Sequence, residues 1–195
     1  MTRTLSRIEL MRGLTAILRD EAVIAGIGNT NFDLYAAGHR PQNFYMLGSM
    51  GLALPIAFGV ALAQPQRRVI GIEGDGSLLM GLGCLATIAM VAPPNLTLVV
   101  MDNAVYEITG GQPTASAQRC DLVAVARAAG IAHGDWAQDT TDFVRLMHAA
   151  LERTGPSLIG ARIERGPAIA QPPRDPAQIR DRFMQAMGSR REFGA

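Results

Sequence analysis

Two short polar segments, each at the end of a mainly apolar run, carry the residues best suited to chemistry. Gly74-Asp75-Gly76-Ser77 follows the run 68–73, and Asp102-Asn103 follows the run 96–101. A carboxylate, an amide oxygen and a nearby backbone carbonyl are hard oxygen donors, which suit magnesium or calcium. The glycines beside Asp75 let an anion approach the main chain, and the free N–H groups of a following helix attract negative charge. The two segments therefore predict a site for a magnesium-bridged diphosphate.

For the first segment alone, the alternative is a tight strand-to-helix turn in which Asp75 caps the helix. The second segment favours the metal site, because the two runs and the stretch 78–91, predicted as one helix, form a βαβ unit. The carboxyl ends of parallel strands share one edge of a sheet, where neighbouring strands lie about 4.8 Å apart. Asp75 and Asn103 are therefore expected to meet across one cation.

The pattern resembles the cofactor-binding motif of thiamine diphosphate-dependent decarboxylases, acetolactate synthases and transketolases. The segment 48–55 (GSMGLALP) is similar to the part of that family that contacts the aminopyrimidine ring. The resemblance implies that Met50 wedges between the two cofactor rings, while the Gly48 carbonyl and the Met50 N–H contact the pyrimidine. It also implies that the turn 28–31 lies beside the diphosphate, with Asn31 as a candidate contact.

By the same resemblance, magnesium is held by Asp75, Asn103 and the Val105 carbonyl, and the diphosphate contacts Gly76 and Ser77. Tyr106 follows where relatives often have a tyrosine near the phosphates. The complete set of expected cofactor-binding residues is Asn31, Gly48, Ser49, Met50, Gly74, Asp75, Gly76, Ser77, Asn103, Val105 and Tyr106.

Two positions depart from the family pattern. Asp102 stands where the family commonly has Asn, and Ala104 stands where relatives often have Gly. Asn103, the position assigned to the metal, is retained, so neither change removes a ligand. Glu107 is also unusual, because an acidic group in the following loop repels a doubly anionic substrate unless arginine or lysine residues of a partner subunit offset it. The roles of Glu107 and of Gln112 in the same loop stay open at this point.

Composition and charge restrict the class of protein. A chain of 195 residues that is 48% hydrophobic suits one domain with a substantial core. The balance of 18 basic and 17 acidic residues, a formal charge of +1, does not indicate a nucleic-acid-binding surface. The N-terminal stretch is too charged for a signal peptide, and no apolar run reaches the roughly 20 residues that span a bilayer. We therefore expect a cytoplasmic protein that binds neither nucleic acid nor membrane.

Apolar runs that alternate with helical patterns predict a doubly wound α/β fold, with a mainly parallel sheet of about six strands and helices on both faces. Residues 1–166 are expected to form the diphosphate-type thiamine diphosphate-binding domain, and residues 167–195 an extended arm and a short helix. Ser6 and Asp121 are predicted helix caps, and the segment 106–118 is predicted to be a functional loop.

In the resembling family, a glutamate from a second, pyrimidine-binding domain bonds the aminopyrimidine and promotes proton loss from the cofactor. All motifs found here belong to the diphosphate-binding domain, so no catalytic side chain is assigned to this chain. The resemblance instead implies a hetero-oligomer in which a separate pyrimidine-domain subunit supplies that glutamate.

The motifs LGSMG, EGDGSLLM, LATI and TGGQPT resemble sulfopyruvate decarboxylase beta subunits and the C-terminal halves of phosphonopyruvate decarboxylases. This resemblance implies that a small 2-oxo acid is converted to an aldehyde and carbon dioxide. Two alternatives remain: a carboligase resembling acetolactate synthase, and a non-catalytic subunit that binds the cofactor or serves assembly.

Overall fold

The computed structural model describes residues 4–189. Its strands are β1 (Ala22–Ala25), β2 (Asn43–Tyr45), β3 (Val69–Gly74), β4 (Leu96–Asp102), β5 (Val105–Tyr106), β6 (Gln112–Pro113), β7 (His133–Trp136) and β8 (Ser157–Arg162). Its α-helices are α1 (Arg7–Ile17), α2 (Asn29–Ala37), α3 (Ala53–Ala63), α4 (Asp75–Met80), α5 (Cys84–Val91), α6 (Leu122–Ala128), α7 (Thr140–Glu152) and α8 (Pro176–Ala186). Part of the predicted C-terminal segment, residues 190–195, lies outside the described residues.

Six strands form one parallel sheet in the order β2-β1-β3-β4-β8-β7. The central strands β3 and β4 are neighbours, and Gly74 at the end of β3 pairs with Met101 near the end of β4. Every residue of β4 is buried, as expected for a strand covered on both faces. The predicted fold class is confirmed.

Alternate strand residues pack into two cores, one on each face of the sheet. In β1, Ala22 and Ile24 point to one core, and Val23 and Ala25 point to the other. Helices α3, α5, α6 and α8 cover the first core, while α1, α2 and α7 cover the second. The two helical layers leave the carboxyl ends of β1, β3 and β4 free to form a site.

The prediction of one helix over 78–91 is wrong, because two helices, α4 and α5, cover this stretch and α4 begins at Asp75. The interruption falls at Gly81, whose backbone passes very close to Gly51. A Cβ atom at Gly81 would lie 2.4 Å from the Gly51 carbonyl oxygen. The helix breaks here because the loop before α3 packs against its backbone, which is a contact that apolar periodicity does not reveal.

Three smaller predictions also need correction. Helix α2 begins at Asn29, so the predicted turn 28–31 is mostly the first turn of that helix. The predicted loop 106–118 contains the short β5–β6 hairpin and a 3₁₀ turn at Ala115–Ala117. Ser6 occupies the N-cap position of α1 but makes no capping bond with its side chain, whereas Asp121 accepts from the N–H groups of residues 123 and 124 and caps α6 as predicted.

The C-terminal helix α8 packs onto the edge of the sheet. Phe183 lies edge-on to Phe44, with 5.4 Å between ring centroids, and Arg182 donates to the Asn43 carbonyl of β2 at 3.0 Å. The division of the chain at residue 166 stays a prediction. No helix in the described part of the chain is long and apolar enough to cross a lipid bilayer.

Cys84, the first residue of α5, is half-buried, and burial together with the nearby Glu73 raises the pKa of its thiol to about 11. Because only the thiolate is nucleophilic, we expect iodoacetamide to modify Cys84 very slowly at pH 7.5 and faster as the pH approaches 11. A Cys120→Ser variant leaves Cys84 as the single thiol of the chain, and mass spectrometry measures the rate. Rapid modification of that variant at neutral pH would contradict the expectation.

Candidate functional site

A cavity of about 120 Å³ lies at the edge of the sheet where β3 and β4 end. Its wall contains most of the predicted cofactor-binding residues, namely Met50, Gly74, Asp75, Gly76, Ser77, Asn103, Val105 and Tyr106. Arg7, Ile108 and Ile163, which sequence analysis did not single out, also line it. The two oxygen-bearing segments therefore face one cavity at one edge of the sheet.

Three predicted residues do not line this cavity: Asn31, Gly48 and Ser49. Asn31 is fully buried within α2, and its Nδ2 atom donates to the Met46 carbonyl at 2.8 Å. The first turn of α2 presents Asn29 and Thr30 to the cavity instead, since the helix begins earlier than predicted. Cofactor contacts for the three residues stay predictions.

Asp75 begins α4 directly after β3 and is only 2% exposed. Its Oδ2 atom accepts from the Thr114 hydroxyl at 2.5 Å, and the Ser116 hydroxyl lies 3.0 Å away. Ser116 Oγ also lies 2.8 Å from Asp102 Oδ1, so it stands between the two carboxyl groups. Thr114 and Ser116 lie in the predicted functional loop 106–118, but sequence analysis did not predict their contact with Asp75, which they reach only through the fold.

Burial raises the pKa of Asp75 above its ordinary value, and the neighbouring Asp102 raises it further, while hydrogen bonds from Thr114 and Ser116 oppose the increase. Two carboxyl groups this close favour a positive charge between or beside them. A divalent cation at Asp75 would satisfy that requirement.

A tight turn leads from β4 into β5. Ala104 has a φ of 63°, a left-handed conformation that favours glycine, the residue that relatives often have here. The Ala104 N–H donates to Asp102 Oδ1 at 3.0 Å, and the Val105 N–H donates to Asn103 Oδ1 at 3.1 Å. Asp102, the other position that departs from the family pattern, thus supplies an acceptor that stabilises the turn.

The loop that carries Met50 is joined to the strand-to-helix turn by two hydrogen bonds. The Gly51 N–H donates to Ser77 Oγ at 2.9 Å, and the Ala53 N–H at the start of α3 donates to Glu73 Oε2 at 2.9 Å. Glu73 is 2% exposed, and burial raises the pKa of its carboxyl against opposing hydrogen bonds from Ser77 and the backbone of α3. Sequence analysis treated Glu73 only as a strand residue and missed its contact with this loop.

Glu107 lies inside a network of donors instead of standing alone. Its carboxylate accepts from Asn29 Nδ2, Asn103 Nδ2 and the Gly166 N–H, and Arg7 Nη1 lies 3.8 Å from its Oε2 atom. An arginine thus lies near Glu107 within the chain, but the same guanidinium also bonds the buried Asp33 carboxylate. Sequence analysis did not identify Arg7, because an arginine in the first turn of a helix is ordinarily exposed. Arg7 is only 4% exposed.

The donor set at the cavity fits a hard cation. Among residues 4–189, no three His, Cys, Asp or Glu side chains are grouped so that they could hold a metal. Asp75, Asn103 and the Val105 carbonyl offer oxygen atoms, and magnesium takes few protein ligands and completes its shell with phosphate and water. The first turn of α2 adds N–H groups that attract phosphate. A Cβ atom at Gly76 would lie 2.4 Å from the Tyr106 ring, so the turn admits no side chain there.

A family model described as the thiamine pyrophosphate enzyme, C-terminal TPP binding domain, matches residues 26–161, which is more than half of the chain. The chain belongs to this family. The matched range contains every predicted cofactor-binding residue from Asn31 to Tyr106, and the family recognised from the motifs is confirmed. Thiamine diphosphate, the same compound as thiamine pyrophosphate, is the cofactor of this domain type.

Individual members of the family resemble this chain along different fractions of their length. A phosphonopyruvate decarboxylase of Streptomyces viridochromogenes is 40% identical over 89% of this chain and 44% of its own length. The sulfopyruvate decarboxylase subunit beta of Methanococcus maripaludis is 39% identical over 94% of this chain and 98% of its own length. A solved thiamine diphosphate-dependent 4-hydroxybenzoylformate decarboxylase of Rhodococcus jostii RHA1 has a TM-score of 0.72 and 26% identity, over 84% of this chain and 33% of that chain. The chain thus spans less than half of the first relative and almost all of the second.

Proposed function

We propose that this chain is the diphosphate-binding subunit of a decarboxylase that depends on thiamine diphosphate and magnesium. Its substrate is a small 2-oxo acid with a second anionic group, of the sulfopyruvate or phosphonopyruvate type, and the products are an aldehyde and carbon dioxide. A separate pyrimidine-domain subunit completes the enzyme, which acts in the cytoplasm.

The observation that carries this proposal is that Asp75 and Asn103 line one cavity in a chain of this family. Gly74 of β3 and Met101 of β4 are paired, so both oxygen-bearing segments leave the sheet at nearly the same level. A purely structural domain has no need for a buried carboxylate beside an amide oxygen at a strand end. This arrangement favours a working cofactor site over a non-catalytic assembly subunit.

The proposed roles of the residues follow from their positions around the cavity. When bound, thiamine diphosphate supplies a carbon nucleophile that adds to the ketone and a ring nitrogen that accepts the electrons released with carbon dioxide. Asp75, Asn103 and the Val105 carbonyl would hold the magnesium ion, which would neutralise charge on the diphosphate. The other predicted contacts orient the cofactor, namely Gly76 and Ser77 at the diphosphate, Tyr106 beside it and Met50 at the rings.

The surface beside the cavity supports a partner subunit. The cavity, at about 120 Å³, is smaller than the roughly 300–1,000 Å³ typical of pockets that enclose a small-molecule ligand. Leu52, Ile56 and Met80, which lie around the contact between Gly51 and Gly81, are 47%, 37% and 61% exposed. Neighbouring exposed apolar side chains are typical of protein interfaces. The proposed partner covers this surface and supplies the glutamate that promotes proton loss from the cofactor.

The proposed substrate class rests on the relatives. The two curated relatives are named for phosphonopyruvate and for sulfopyruvate, both three-carbon 2-oxo acids with an extra anionic group. Arg7 is shared between Glu107 and the Asp33 carboxylate, so arginine or lysine residues of the proposed partner would complete the offset that an anionic substrate requires.

The proposal is tested with the full chain, purified alone and after co-expression with a candidate pyrimidine-domain polypeptide, which is sought first in the neighbouring reading frames. Decarboxylation of sulfopyruvate, phosphonopyruvate and pyruvate is measured through the oxidation of NADH by an added alcohol dehydrogenase that reduces the aldehyde product. We expect the pair to elute together in gel filtration. We also expect its decarboxylation rate to be at least about 100-fold that of the single chain, because the single chain lacks the glutamate that promotes proton transfer.

Other outcomes would contradict the proposal in distinct ways. Full activity of the single chain would refute the split enzyme. Acetolactate formed from pyruvate would favour the carboligase. A cofactor-loaded pair without activity on any of these acids would favour the assembly subunit.

A further inference from the structure

We propose that Glu107 is a positioning residue for the cation site. Its side chain turns the oxygen of the Asn103 amide toward the cation, and it links the site to the chain that leaves β8. This inference rests on the proposed function, because it concerns the magnesium ion assigned there. Glu107 follows β5 directly, in the turn of the hairpin, and it lines the cavity. Its carboxylate makes contacts that its sequence neighbourhood does not predict.

The Glu107 carboxylate accepts hydrogen bonds from N–H groups of three separate segments. Asn29 Nδ2, from the first turn of α2, donates to Oε2 at 3.1 Å, and Asn103 Nδ2, from the turn after β4, donates to the same oxygen at 3.0 Å. The Gly166 N–H, from the chain after β8, donates to Oε1 at 2.6 Å. These three segments surround the carboxyl ends of β1, β4 and β8, so one side chain ties together the strand ends that form the cavity wall.

The contact with Asn103 determines which end of its amide faces which partner. An amide has one oxygen that accepts and one NH₂ group that donates. Because Asn103 Nδ2 donates to Glu107, Oδ1 accepts from the Val105 N–H at 3.1 Å and keeps a lone pair for a cation. The opposite rotamer would turn the NH₂ group toward the Val105 N–H and toward the cation. Glu107 therefore stabilises the only amide orientation that can bind a metal.

A carboxylate is required at this position, and an amide of the same shape cannot replace it. All three hydrogen-bonding partners of Glu107 are donors, and they use both of its oxygens. Glutamine has a single acceptor oxygen, so its NH₂ group would face at least one N–H group. A donor that faces a donor in a partly buried site leaves both without a partner, and such groups are costly.

Arg7 completes the network at the carbonyl of Gly166, the residue whose N–H donates to Glu107. The Gly166 carbonyl accepts from Arg7 Nη2 at 2.9 Å and from Asn29 Nδ2 at 3.1 Å, while its N–H donates to Glu107. Arg7 Nε bonds the Asp33 carboxylate, and Arg7 Nη1 makes no hydrogen bond but lies 3.8 Å from Glu107 Oε2. The Arg7 and Glu107 side chains are 5% and 22% exposed. The start of the C-terminal arm and the cation site thus share one partly buried network.

The test measures metal binding without an activity assay. Mn²⁺ replaces Mg²⁺, and electron paramagnetic resonance counts free Mn²⁺ in titrations of the full chain with saturating thiamine diphosphate. We expect Glu107→Gln to weaken Mn²⁺ binding about 10- to 100-fold, the usual range for a residue that orients a metal ligand. Thermal unfolding of each protein without metal shows whether the variant is folded during the titration.

Further variants separate orientation from charge. Glu164→Gln removes the same charge from an exposed residue just after β8, and we expect its Mn²⁺ affinity to stay within about twofold of the unmodified chain. The double variant Glu107→Gln with Asn103→Asp reverses donor and acceptor in the pair and restores the total charge. We compare it with Asn103→Asp alone, which has the same aspartate beside the cation. In that background we expect Glu107→Gln to weaken Mn²⁺ binding by less than about twofold, because either aspartate oxygen can face the cation.

Each outcome decides the inference. Unchanged Mn²⁺ affinity in Glu107→Gln overturns it, and so does an equal loss in Glu164→Gln, which would indicate charge alone. The orienting role is overturned if the double variant loses as much affinity relative to Asn103→Asp as Glu107→Gln loses relative to the unmodified chain. If Glu107→Gln does not fold, a loss of about tenfold or more in the double variant relative to Asn103→Asp overturns it. If the unmodified chain alone binds no Mn²⁺ with thiamine diphosphate, the titrations are repeated with the co-expressed pair, and absence of binding there overturns the proposed function together with this inference.

Discussion

Replacing Asp75 with asparagine is expected to lower the affinity of the chain for thiamine diphosphate in the presence of magnesium by at least about 100-fold. Removing one partner of a buried charge pair costs about 3–5 kcal/mol, and each 1.4 kcal/mol corresponds to a factor of ten. Asparagine has the shape of aspartate but lacks the negative charge that faces the proposed cation. Isothermal titration calorimetry with and without magnesium measures the effect.

The same substitution is expected to stabilise the chain when no cation is present. Burial, together with the neighbouring Asp102, raises the pKa of Asp75 above its ordinary value. A group whose pKa is raised by folding contributes most to stability below its unfolded pKa, and this contribution is lost as the pH rises through the folded value. Asp75→Asn should therefore unfold at a higher temperature than the unmodified chain near pH 7, and this advantage should disappear on acidification below about pH 4.

The combination of weaker cofactor binding and greater metal-free stability distinguishes a ligand from a structural residue. Asp20→Asn is a matched control, since the Asp20 side chain is 79% exposed and lies far from the cavity in sequence and fold. We expect that control to change neither cofactor affinity nor the unfolding temperature at pH 7 appreciably. Unchanged magnesium-dependent affinity in Asp75→Asn would remove the basis of the cation site.

The sheet and the two principal ligand segments could be predicted from the sequence because their signals are local. Buried parallel strands are nearly continuous apolar runs, and glycine or polar residues mark their ends. Asp75 and Asn103 stand directly after such runs, and parallel topology brings the ends of neighbouring strands together. The pairing of Gly74 with Met101 is the physical reason why two short motifs were enough to locate the cavity.

The residues that orient those ligands could not be predicted, because each reaches the site from a distant part of the chain. Thr114 and Ser116 bond Asp75 from 39 and 41 positions away, and Arg7 contacts the Gly166 carbonyl across 159 positions. Such contacts leave no periodic signal. Asn31 illustrates a different limit of prediction from sequence. Helix α2 begins three residues earlier than predicted, and this turns the Asn31 side chain into the core and its neighbours toward the cavity.

The break between α4 and α5 leads to the second large effect, which is expected for Gly81→Ala. Gly81 has a φ of −113°, so alanine is allowed by the backbone, but its Cβ would lie 2.4 Å from the Gly51 carbonyl oxygen. Two main chains must separate to admit it, and overpacking of this kind costs about 1–3 kcal/mol. In a chain of this size, the midpoint of thermal unfolding falls by roughly 2–4 °C for each kcal/mol.

The displacement caused by Gly81→Ala should also reach the cofactor site, because Gly51 follows Met50 and bonds Ser77. We therefore expect weaker thiamine diphosphate binding together with the lower unfolding temperature. Gly83→Ala is the matched control, since Gly83 lies in the same turn, has a right-handed conformation and has no atom within 4 Å of an added Cβ. Alanine there should leave binding unchanged and stability equal or higher, because it restricts the unfolded chain. If both variants behave alike, the close approach of Gly51 and Gly81 does not hold the Met50 loop in place, and the helix break needs another cause.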